Sequence, residues 1–74
     1  MSKYEEAIEA YKQALVIEDD QPSIWFNLGI LYLLTDHRSE GRKCLENAAK
    51  LGHDKAAGAL KKFESKDGGI LIID

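Results

Sequence analysis

Few residues in this 74-residue chain could do acid–base or nucleophilic chemistry: His37, His53 and Cys44, set among 13 acids and 10 lysines and arginines. A general base or a nucleophile needs a partner within hydrogen-bond reach. Neither histidine has a serine, cysteine or carboxylate at a spacing that reads as a triad or a metal box, and both are expected in solvated turns. Cys44 stands beside Arg42 and Lys43, with Glu46 close by. Two readings of it stay open: a thiol whose pKa the neighbouring bases lower, or a cysteine that only packs. A single cysteine excludes an internal disulfide and a cysteine-based zinc site. Gly58, Gly68 and Gly69 form no phosphate loop. The expectation is a protein that is not an enzyme, with no catalytic residues, no metal and no cofactor.

The elements that carry these residues follow from periodicity and end signals. Ser2-Lys3-Tyr4-Glu5 reads as a capping box. From it Tyr4, Ala7, Ile8, Tyr11, Ala14 and Leu15 keep a 3.6-residue rhythm, which predicts a helix over about 3–18. Asp19-Asp20-Gln21 is a turn, and Pro22 opens a second helix, 22–35, where its missing N–H costs nothing. A turn at Asp36–Ser39 precedes a third helix, about 39–51, which Gly52 stops in a left-handed conformation. Asp54 is the expected cap of a fourth helix, 55–66, with Ala56, Ala59, Leu60 and Phe63 on its apolar stripe. Gly68-Gly69 breaks the pattern, so residues 1–67 read as one helical domain and 68–74 as an apolar tail suited to an extended form.

The second helix is unusual. Between Pro22 and Leu34 its only polar side chains apart from Tyr32 and the indole of Trp25 are Ser23 and Asn27. A helix apolar nearly all round is a buried one. Burial on every side is expected to need more mass than this chain provides, which points to a neighbour. Charge is also uneven. Residues 1–20 carry two lysines against six acids, and residues 38–66 carry eight bases against four acids. Interspersed charge of this kind gives solvated helix faces, or an acidic end and a basic end that favour head-to-tail contact; it gives no nucleic-acid footprint. No run of 18 apolar residues and no signal-peptide pattern is present, so no membrane partner is expected and the cytoplasm is the expected location.

Internal repetition orders these observations. A shift of 34 places Ala7 on Gly41, Tyr11 on Leu45, Ala14 on Ala48, Leu15 on Ala49 and Ile17 on Leu51. Small falls on small or apolar on apolar, at the period of a helix–turn–helix solenoid. Trp25-x-x-Leu28-Gly29-x-x-Tyr32, followed by Gly41, Leu45 and Ala48, resembles the tetratricopeptide (TPR) pattern. The resemblance covers residues 4–51, with His53 where the family usually has proline and Gly41 where alanine is commoner. Ala48-Ala49-x-x-Gly52-x-x-x-Ala56 is similar to the junction of Sel1-like repeats.

The resemblance implies an all-α fold, an antiparallel helix–turn–helix solenoid of about one and a half repeats plus a closing helix. It implies that Trp25, Leu28, Gly29 and Tyr32 pack on the paired helix and that Gly29 permits close approach. The function it implies is a protein–protein interaction module, a scaffold or adaptor, holding a peptide or partner segment on the concave helix face. The candidate binding residues are Ser23, Phe26, Asn27, Ile30, Leu33, Leu34 and Lys61. In the family an asparagine at the place of Asn27 often holds peptide main chain, and Lys61 lies near a cation that receives a terminal carboxylate. Ala57, where that subset carries lysine, departs from it. The alternative is that the chain's apolar faces are buried in a homo-oligomer or in a longer repeat array.

Overall fold

The computed structural model describes residues 2–62; the expected end of the fourth helix and the tail at 68–74 lie outside the described residues. Three helices, α1 (Lys3–Ile17), α2 (Pro22–Leu34) and α3 (Arg38–Lys50), are followed by a helical segment at residues 54–62, here α4. The fold is all-α and TPR-like, built from antiparallel helical hairpins. Caps and turn hydrogen bonds account for the start of α1 and the ends of α2 and α3.

Ser2 Oγ accepts from the Glu5 amide at 3.1 Å while the Ser2 amide donates to Glu5 Oε1 at 3.4 Å, so the capping box forms. The α1–α2 turn is tied by Trp25 Nε1, which donates to the Asp19 carbonyl at 2.7 Å, and by Gln21 Nε2, which donates to the Glu18 carbonyl at 2.8 Å. Pro22 sits in the first turn of α2. The ends of α2 and α3 use the same device. The His37 amide donates back to the Tyr32 carbonyl (2.7 Å) and Asp36 to Leu33 (3.2 Å), with Asp36 at φ 65°. Likewise the His53 amide donates to Ala48 (3.0 Å) and Gly52 to Ala49 (2.9 Å), with Gly52 at φ 95°. Both are Schellman stops.

Two starts differ from the sequence reading. The third helix begins at Arg38, with His37 as its cap residue. The fourth begins at residue 54, because His53 rather than Asp54 caps it: His53 Nδ1 accepts from the Ala56 amide at 3.1 Å. Its ring lies on Phe26, centroids 4.5 Å apart and planes 14° from parallel. His53 is thus half-buried and bonded, not a solvated turn residue. His37 keeps the expected exposure, with Nδ1 3.0 Å from Thr35 Oγ1 and its ring tilted against Tyr32.

The core has two clusters joined at Trp25. Ile8 and Leu15 of α1 meet Leu28 and Cys44, with Ile24, Leu31 and Tyr32 around them. Leu45, Ala48 and Ala56 are fully buried, with Phe26, Ile30, Leu33 and Leu60 against them. The apolar circumference of α2 is shared among its neighbours: α1 takes one side, α3 another, and α4 part of a third, but only Leu28 and Gly29 are buried. The remaining apolar residues of α2 stay half-buried or, at Leu34, exposed, so the described residues do not bury the helix on every side, in keeping with the expectation that full burial needs more mass. The α2–α3 crossing is tight because both helices carry glycine there. A Cβ on Gly29 would lie 3.0 Å from the Gly41 carbonyl oxygen, and one on Gly41 would lie 2.9 Å from that of Gly29. The implied role of Gly29 is met, with Gly41 as its counterpart.

Candidate functional site

The α2 positions Ser23, Asn27, Ile30 and Leu34 fall at i, i+4, i+7 and i+11, one stripe of a helix. This stripe is what α1, α3 and α4 leave open. Ser23, Asn27 and Leu34 are exposed, Leu34 at 58%, and Ile30 is half-buried on the shoulder. Neither Ser23 nor Asn27 uses its side chain in a hydrogen bond within the described residues, so the amide of Asn27 is available in both its donor and acceptor roles. Lys61 is exposed on α4, 34 residues beyond Asn27 and so at its register in the following repeat position.

The other two expected residues are placed differently. Phe26 and Leu33 are half-buried and turn toward Leu45, Ala48 and Ala56, with Phe26 also under the His53 ring. The seven candidates thus divide into an open strip (Ser23, Asn27 and Leu34, with Ile30 on its shoulder), a distal cation (Lys61), and two apolar residues, Phe26 and Leu33, that support the strip from the core side.

A second concavity was not legible in the sequence. Between α1 and α3 runs a cleft of about 520 Å³, floored by Leu28, Trp25 and Tyr32. Smaller hollows abut it, one toward His37 and one toward Lys50. Its rim carries Lys12 and Lys43 against Asp19 and Glu40, so the cleft selects no sign of charge. Its existence depends on the angle at which α1 and α3 diverge from α2, which no residue pattern reports.

Cys44 lies beside this floor and is buried. Burial, with a smaller contribution from Glu40, pushes its thiol up to about 11. The flanking Arg42 and Lys43 are exposed, so desolvation outweighs them. Of the two readings, the packing cysteine is the one the structure supports. Burial also raises the Tyr32 hydroxyl above its ordinary value, against a lowering by Lys12. Among the described residues no three histidine, cysteine or acidic side chains converge on a point that could hold a metal ion. Among them, too, no helix is long and apolar enough to cross a membrane.

Comparison with known proteins bears on the hairpin. No curated protein and no solved structure gives a significant match. A family model described as TPR repeat matches residues 1–36, the span that contains α1, the turn and α2 with Trp25, Leu28, Gly29 and Tyr32. Over that span the chain is similar to a TPR repeat, and the antiparallel packing of its helices is of the same kind.

Proposed function

We propose that the chain is a protein–protein interaction module that holds an extended partner segment along the open strip of α2, with Lys61 of α4 engaging its far end. TPR repeats generally mediate contacts between proteins, which supports the class. One observation carries the finer reading. In a helix with no charged residue from Pro22 to Leu34, the residues left facing water are a free amide, a hydroxyl and an apolar side chain on one stripe. Asn27 can pair with both the N–H and the C=O of an extended backbone. Leu34 and the shoulder of Ile30 take an apolar side chain. Phe26 and Leu33 act from beneath, by fixing the helix on which the strip stands.

The test is a titration. Peptides selected from a random display library on the folded chain are measured against it and against Asn27→Ala, Leu34→Ala and Lys61→Ala. Losing one hydrogen bond at Asn27 is expected to weaken binding about three- to tenfold. Phe26→Ala is a poor probe, since it also removes the His53 stack and opens the core. Equal affinity across the three surface variants rejects the strip as the binding site.

A further inference from the structure

The 34-residue register allows one helix face to be compared with another in the same chain. Gly41, Leu45 and Ala48 of α3 are all buried, with α2 seated on them through Gly29. Their counterparts on α1 are Ala7, Tyr11 and Ala14, and these are only half-buried. The stripe continues beyond them to Tyr4, 47% exposed, and along its edge to Ala10 and Ile17, the latter 86% exposed. Contact with α2 falls instead on Ile8 and Leu15, with Tyr11 reaching over from the stripe. So α1 carries a helix-receiving face like the one filled on α3, with no helix on it among the described residues.

We propose that the occupant is α1 of a second copy of this chain, packed antiparallel about a twofold axis near Glu9. Two independent features select it. The first is size. Tyr4, Ala7, Tyr11 and Ala14 alternate large and small, and an antiparallel pair centred at residue 9 sets Tyr4 against Ala14 of the second copy and Ala7 against its Tyr11. A parallel pair sets tyrosine on tyrosine and alanine on alanine, which leaves gaps that close packing does not tolerate. The second is charge. The stripe is bounded by Lys3 at one end and Glu18 at the other, and neither has an ion-pair partner among the described residues. Antiparallel packing brings Lys3 to within about one turn of Glu18 of the second copy, at both ends. Parallel packing brings like to like. Glu5 and Glu9 lie on the far side of the helix and do not meet. This interface is on a different element from the α2 strip and stands or falls independently of it.

The experiment is sedimentation of the 74-residue chain over a range of micromolar concentrations. A reversible monomer–dimer equilibrium is expected. Ala7→Glu places a charge in the middle of the seam and is expected to raise the dissociation constant at least about tenfold. Lys3→Glu is the second probe. With Lys3 exposed, the variant should match the parent chain in circular dichroism. It is expected to weaken the dimer several-fold, and the double exchange Lys3→Glu with Glu18→Lys is expected to restore it. A chain that stays monomeric, with the face left bare or taken by its own C-terminal residues, overturns the proposal. So does a dimer that Ala7→Glu leaves unchanged. A dimer that the double exchange fails to rescue overturns the antiparallel arrangement.

Discussion

The tightest point in the molecule is a contact between two backbones. Gly29 and Gly41 face each other across the α2–α3 crossing, and a methyl on either meets the other's carbonyl oxygen at about 3 Å. A backbone atom cannot swing aside as a side chain can. Gly41→Ala gains about 1 kcal/mol of helix propensity but forces the helices apart at a cost of about 1–3 kcal/mol. A net loss of up to about 2 kcal/mol is expected, read as a lower urea midpoint with unchanged slope. Cys44 gives a second residue-scale outcome, through pH. Its thiol titrates near 9.0 when unfolded and near 11 when folded, so the folded state favours the neutral form. The stabilisation that follows is complete below pH 9 and is lost as pH rises toward 11. The difference in urea midpoint between the parent chain and Cys44→Ala should therefore be constant below pH 9 and narrow above it. A difference that grows with pH contradicts the assigned burial.

At the scale of elements, two glycines show how backbone conformation decides the sign of one substitution. Gly52 ends α3 at φ 95°, where a side chain is strained although nothing lies within 4 Å. Gly58 lies inside α4, also with open space around it, and has no such φ. Gly52→Ala should destabilise by about 1 kcal/mol and Gly58→Ala should stabilise by up to about 1 kcal/mol. In a chain of this size that is a shift of several degrees in Tm, in opposite directions. Helix ends of this kind are readable in advance, because the Gly52 stop and the Ser2–Glu5 start box act within four residues. The start of α4 was not. Asp54 and His53 are both side-chain acceptors, and local sequence ranks aspartate higher as a cap. The choice falls to His53 because its ring is held on Phe26, 27 residues upstream, a contact that only the assembled hairpins create.

The same division holds for the whole molecule. The repeat register and the pattern Trp25-x-x-Leu28-Gly29-x-x-Tyr32 made the hairpin architecture legible, since they record which faces must meet. They did not record how far a short α4 could cover Phe26, Ile30 and Leu33, which pack against the cluster of Leu45, Ala48 and Ala56 yet stay only half-buried. Coverage is a matter of distance and angle among three helices, not of residue type. It has a consequence for folding. Trp25 packs against both core clusters, and its indole N–H ties the α1–α2 turn. Neither cluster can open without disturbing that residue. The helices should therefore unfold as one unit rather than hairpin by hairpin, with Trp25 fluorescence and helical circular dichroism giving coincident urea transitions. Leu15→Ala, in the α1 cluster, and Leu45→Ala, in the α3–α4 cluster, are each expected to cost about 2–5 kcal/mol. Each should move both probes together. If Leu15→Ala separates them, so that circular dichroism reports early loss of α1 while Trp25 remains in a packed environment, the two clusters are independent and the indole does not couple them.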